Sequence, residues 1–293
     1  SKKSKAEGMS GMVSANYGFH YFVTGNTAFS FNKPNASWRF NYNVRYEDDV
    51  VNSTLSRTIK ASGHEVAQVM DAKRYTFNNN IGVGADFRMS AKDRLSVDVK
   101  CILPRLNIEQ DLHNRFTDEG GIREEYRFND VTWNRENLEA SVVYTHIIQP
   151  EVSDLSIRGS VSKIWGHRPS YYAVDGEPTH RSESGGSPFL PALQADYKHK
   201  LKSGTFSSGV KLTYRRNDIY HQFYTLSGNE WKYAEALSND LLHTEWVPAV
   251  YAMFASKIGK KFTYKAGLRG EFSTVNLRSH HESVDERKNG FFL

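Results

Sequence analysis

Trp38-Arg39-Phe40-Asn41-Tyr42-Asn43-Val44-Arg45-Tyr46 places an aromatic or apolar residue at every even position and Arg or Asn at every odd one. Successive side chains of a β-strand point to opposite faces, so this segment has one apolar face and one strongly polar face. The pattern recurs along the chain. Val13, Ala15, Tyr17 and Phe19 alternate with Ser14, Asn16, Gly18 and His20, and Ile81, Val83, Ala85, Phe87 and Met89 with Asn80, Gly82, Gly84, Asp86 and Arg88. Further copies set Leu95, Val97, Val99 and Cys101 against Ser96, Asp98 and Lys100, and Leu193, Ala195 and Tyr197 against Gln194, Asp196 and Lys198. The last two run Phe206 to Tyr214 and Phe262 to Phe272.

Alternation alone also suits a soluble β-sandwich. The connections separate the two folds. Short polar turns stand near residues 32–36, 90–94, 149–154, 202–205 and 259–261, and long connections at 47–75, 104–136, 166–191 and 217–247 lie between them. Apart from a tight first hairpin near His20 to Phe22, short and long alternate, as in an outer-membrane barrel with short periplasmic turns and long extracellular loops. Trp38, Tyr46, Tyr144, Trp165, Tyr214, Trp246 and Tyr251 crowd the strand ends, where barrels carry aromatic girdles, although Tyr and Trp also favour strands generally. The expected fold is therefore all-β: an antiparallel up-and-down transmembrane β-barrel, of which this chain supplies about eleven to twelve strands, with outer-membrane lipid around it.

Composition agrees. The 293 residues have a mean hydropathy of −0.61, and no apolar run approaches the ~18 residues of a transmembrane helix. A barrel strand averages to hydrophilic because one of its faces lines a wet lumen. The single cysteine, Cys101, offers neither a disulfide partner nor a second thiolate. The formal charge of +5 is spread among 33 acidic residues, so no basic stripe points to nucleic acid.

Particular stretches resemble the barrel of TonB-dependent outer-membrane receptors, in the "outer membrane protein beta-barrel" family. Lys2-Lys3-Ser4-Lys5-Ala6-Glu7-Gly8 followed by Gly11-Met12-Val13-Ser14-Ala15-Asn16-Tyr17-Gly18 is similar to the junction of plug and first strand. Leu193 to His199, and Val250 to Phe254 through Tyr264 to Phe272 with its Ala266-Gly267-Leu268-Arg269-x-Glu271 core, are similar to strands of that family. The resemblance implies that residues 1–8 end a plug and 9–293 form part of a barrel of ~22 strands. It also implies a plug domain and the TonB complex as partners, and import of a small-molecule or oligosaccharide ligand, for instance a siderophore or a cobalamin. The chain itself has no recognisable plug or TonB box.

Other chemistry is sparse. The eleven His form no His-Glu-x-x-His or Cys/His set, and no catalytic, cofactor or metal motif is expected. His280-His281 beside Glu282 suits a loop metal or haem, but adjacent strand residues point to opposite sides. Gly82-Val83-Gly84 lacks the third glycine of a dinucleotide loop and reads as backbone relief in a barrel wall. Ser184-Gly185-Gly186-Ser187 reads as a flexible loop. Arg39, Arg45, Asp86, Arg88, Asp98, Lys100, Lys211, Arg215, Arg269 and Glu271 are expected to face the lumen. Trp165, His167, Arg168, Tyr171, Tyr172 and Trp231 are the ligand-contact candidates, because rigid rings bury area at small entropic cost and Arg adds directional donors. A passive pore or adhesin barrel, or less readily a soluble β-sandwich binding protein, are the alternatives.

Overall fold

A computed structural model describes residues 7–19, 21–59, 63–259, 262–279 and 284–292. The strands are β1 (Gly8–Gly18), β2 (Phe22–Asn32), β3 (Ala36–Ile59), β4 (His64–Arg88), β5 (Asp93–Asp118), β6 (Gly121–Gln149) and β7 (Ser153–Val174). They continue as β8 (Glu177–Gly186), β9 (Phe189–Leu201), β10 (Gly204–Ser227), β11 (Glu230–Tyr233), β12 (Asn239–Ile258), β13 (Phe262–Ser279) and β14 (Val284–Phe292). All belong to one antiparallel sheet paired in sequence order. A single sheet rules out a sandwich, which needs two.

Two strands are interrupted. Both β8 and β9 pair with β7 and β10 on one shared register, so they are one wall strand broken at Ser187 and Pro188, the latter lacking an N–H. A 3₁₀ turn at Glu235–Leu237 likewise separates β11 from β12, both partners of β10. The fourteen strands thus make twelve passages of the wall.

The register aligns the alternating faces without exception through the band. Trp38 pairs with Ala85, Ala85 with Val97, Val97 with Val142, Val142 with Gly159, Gly159 with Leu193, and Leu193 with Leu212. Since paired residues share a face, these rows form one continuous apolar surface, much of it exposed. The other face is polar and more crowded. Ser37, Ala249 and Ser273, all on it, are buried. Asn43 donates to Asn26, and Asn80 to Asn43 at 3.2 Å, which ties three neighbouring strands in one row. This crowding marks the polar face as the concave one.

Glycines open that face to longer reaches. At Gly84, Arg39 of β3 reaches over β4 to Asp98 of β5 at 2.9 Å, while also binding Asp86. A Cβ on Gly84 would sit 2.8 Å from the Arg39 guanidinium. Gly209 does the same on the far side, where Gln194 donates to the Tyr251 hydroxyl at 3.0 Å and Tyr251 to Asp196. Backbone relief in the wall is therefore the structural role of Gly84, and Arg39, Asp86 and Asp98 find their partners within the wall itself.

The long connections do not exist as loops. Residues 47–75 continue β3 and β4 to a tight hairpin, with Ile59 paired to His64, and residues 104–136 continue β5 and β6 until Asp118 pairs with Gly121. Ser184-Gly185-Gly186 ends β8 and pairs on both sides, so it is not a flexible loop. The strands reach 29 residues in β6, where a tilted crossing of the membrane needs about 9–11. The extra length stands outside the membrane as extended hairpins. The regular alternation ends there because water wets both faces, so the sequence loses the signal by which the strands were recognised. Lys2 to Ala6, His20 and the His280-His281-Glu282 group lie outside the described residues. No pairing joins β1 to β13 or β14 among the described residues.

Candidate ligand-binding vestibule

Strand parity assigns every residue above the apolar band to the inward or the outward face. On β5, Leu95, Val97, Val99, Cys101 and Leu103 point outward in the band, but above it the apolar set changes side: Leu106, Ile108 and Leu112 are inward, while Arg105, Glu109 and Asp111 are outward. Ile108 pairs with Val131, and Val131 is buried; Ala72, opposite Gln110 on β4, is buried too. The hairpins therefore surround a partly apolar inner surface, a vestibule over the polar lumen.

Polar groups punctuate it. Arg74 donates to Asp49 at 2.6 Å, and its Nε is buried without a partner, as is Oδ1 of Asn78 two repeats of the pleat lower. Asn114, buried at 2% exposure, accepts from Gln68 at 2.7 Å and faces Glu125, which also holds Arg127. Tyr172, His180 and Phe223 form an inward stack with centroid separations of 4.3 and 5.0 Å. Beside it a cavity of about 320 Å³ is lined by Leu112, Arg127, Asn129, Tyr172, Thr179 and His180 among others. Burial, reinforced by the Arg127 charge, holds the His180 imidazole below its ordinary pKa, so it is neutral at neutral pH.

The six ligand-contact candidates do not converge. Arg168 and Tyr172 share the inward parity of the vestibule. Trp165, His167, Tyr171 and Trp231 take the outward parity, because β7 keeps an unbroken register with β6 through this region and Trp231 pairs with Leu226 of β10. Trp165 sits at the outer end of the apolar band with the Lys163 ammonium 5.7 Å from its ring, the environment of a girdle aromatic. The His167 ring contacts the Tyr220 hydroxyl at 3.2 Å. Tyr171 meets Trp231 edge-to-face at 6.2 Å. Sequence reasoning missed His180, Phe223 and Arg127 of the vestibule, since nothing short of the β6–β7–β8–β10 register brings them beside Tyr172.

An apolar outer band, a bonded polar inner face and hairpins rising beyond the band define the wall of a transmembrane β-barrel. Residues 178–293 match the model of the Outer membrane protein beta-barrel family, which places the chain in the outer membrane. The matched region contains the Leu193 to His199 and Val250 to Phe272 stretches; the Gly11 to Gly18 stretch lies before it. No curated protein matches the chain.

Proposed function

We propose that the chain is part of the barrel of a TonB-dependent outer-membrane receptor that imports a scarce ligand of the siderophore, cobalamin or oligosaccharide class. The observation that carries this reading is a sheet with two open edges. Twelve passages pair in sequence order, and neither β1 nor β14 has a second partner among the described residues. An edge strand in hydrocarbon leaves backbone N–H and C=O groups unpaired at several kcal/mol each, which favours a wall wider than these twelve passages. Barrels of ~22 strands enclose a lumen wide enough to hold a plug. A plugged lumen passes a ligand only when energy moves the plug, and the vestibule above it supplies the binding surface.

Uptake of radiolabelled ferric siderophores, cobalamin and maltooligosaccharides, measured in cells carrying the full-length protein with and without TonB, tests the reading. One class is expected to enter only when TonB is present. TonB-independent flux with steady ion conductance in a planar bilayer would replace the receptor by a passive pore.

A further inference from the structure

The outward face of the hairpins carries an aromatic cluster that neither the lipid band nor the vestibule uses. Tyr171 of β7 pairs with Arg181 of β8, Arg181 with Tyr224 of β10, and Tyr224 with Tyr233 of β11, so one row crosses four strands. All four residues have the parity of the lipid-facing residues lower on the wall. Trp231 folds over the row: the Arg181 guanidinium lies 4.7 Å from the Tyr224 ring and 5.4 Å from the Trp231 ring. Tyr224 and Tyr233 meet edge-to-face at 5.6 Å. The Arg181 Nε is buried without a hydrogen-bond partner, and Glu183 paired with Gln222 continues the same face one row nearer the membrane.

Composition and position together specify an occupant. The Tyr171 and Trp231 rings on one side of Arg181 and the Tyr224 and Tyr233 rings on the other offer apolar surface to the C–H faces of sugar rings, with the guanidinium between them. Arg, Glu and Gln supply the directional donors and acceptors that hydroxyls and sugar carboxylates need. On β10 the row stands ten residues beyond the girdle residue Tyr214. That is roughly 33 Å along the strand, and about 25 Å above the girdle once a tilt near 40° is allowed for. Beside an outer-membrane wall at that height, on its outward side, stand the sugar chains of the surrounding glycolipid; acyl chains and lipid phosphates lie lower. We propose that Tyr171, Arg181, Tyr224, Trp231 and Tyr233 form a docking site for the saccharide chain of neighbouring lipopolysaccharide. The site faces away from the vestibule, so it rests on the band crossing the membrane and not on the import reading.

Equilibrium binding to the full-length protein in phospholipid nanodiscs tests this, with smooth lipopolysaccharide, deep-rough lipopolysaccharide and lipid A as probes. The smooth form is expected to bind roughly tenfold more tightly than the other two, and R181Q with W231A to abolish that difference while lipid A binding stays unchanged. Heat-modifiable gel mobility reports whether each variant is folded, and R181Q alone decides if W231A is not. Equal affinity for all three probes, or an undiminished preference in the folded variant, would overturn the proposal. So would a variant that loses ligand uptake yet keeps its preference for the smooth form, which would assign the cluster to the path of the imported ligand.

Discussion

Val97 and Ser96 are consecutive on β5 and differ above all in face. Val97 pairs with Ala85 and Val142 in the middle of the apolar band, whereas Ser96 points inward and donates to Asp86 at 2.6 Å. Arg in place of Val97 must set its guanidinium in hydrocarbon, at a cost of about 2–4 kcal/mol near the bilayer midplane. Val97 packs against lipid rather than a core, so little is added for lost packing. Arg in place of Ser96 loses one hydrogen bond, worth about 0.5–1.5 kcal/mol, but gains the Asp86 and Asp98 carboxylates in a wet lumen. Its net cost should stay below about 1 kcal/mol. Asp111→Arg, outward on the same strand but above the band, should cost about 0–1 kcal/mol, as near the interfaces. Urea titration of the full-length protein refolded into phospholipid vesicles, followed by tryptophan emission, would read these as unfolding constants. V97R should shift the constant roughly thirty- to a thousandfold, and the other two less than about tenfold. Equal costs at positions 96 and 97, or an Asp111→Arg penalty as large as that at Val97, would refute the assignment of faces.

Gly84→Val should destabilise by about 1–3 kcal/mol in the same titration, since its side chain displaces the Arg39–Asp98 bridge, while Gly159→Ala, with open space at its Cβ, should change stability by less than about 0.5 kcal/mol. In a Cys101→Ala background, cysteines at Glu119 and Asn229 should react with an impermeant maleimide on intact cells and those at Lys92 and Lys202 should not; uniform labelling would contradict the topology. Burial and the Arg127 charge depress the His180 pKa, so any contribution of the neutral ring to stability is complete above the ordinary imidazole pKa of about 6.5 and falls as pH drops toward the depressed value. Imidazole titration by NMR should place His180 below ordinary histidine, and Arg127→Gln should move it back upward; an unshifted His180 would remove the argument.

How far the sequence was readable follows from where it is constrained. In the band, hydrocarbon outside and water inside force period two, so the faces of Trp38 to Tyr46, Val97 and Leu193 could be assigned by counting. Short turns such as Ser90 to Asp93 were legible for the same reason, since they end the pattern abruptly. Above the band no such force acts, and the strands at 47–59 and 104–118 looked like loops. The candidate site suffered most. Tyr171 and Tyr172 are neighbours in sequence and point to opposite faces, and the partners of each, Trp231 for one and His180 for the other, are set by cross-strand register that composition does not encode.

The register also supplies evidence for a membrane that no single strand contains. The row through Tyr46 runs by way of Phe77, Arg105, Asn134, His167 and Gly185 to Tyr220 on β10, yet the girdle aromatic of β10 is Tyr214, six residues lower. At the other edge, the row through Trp38 ends at Leu212, and the corresponding aromatic is Phe206, again six residues lower. Both girdles thus drift together by six residues over six strand steps, so the band keeps its width while sliding along the hydrogen-bonded rows. One residue of about 3.3 Å per strand spacing of about 4.8 Å corresponds to strands inclined by about 35° to the band normal. That lies within the tilt of about 35–45° that outer-membrane barrels adopt. A soluble sheet has no reason to stagger two lines of aromatics by the same amount between β3 and β10. A flat hydrocarbon slab does, because its two surfaces stay level while tilted strands pass through them.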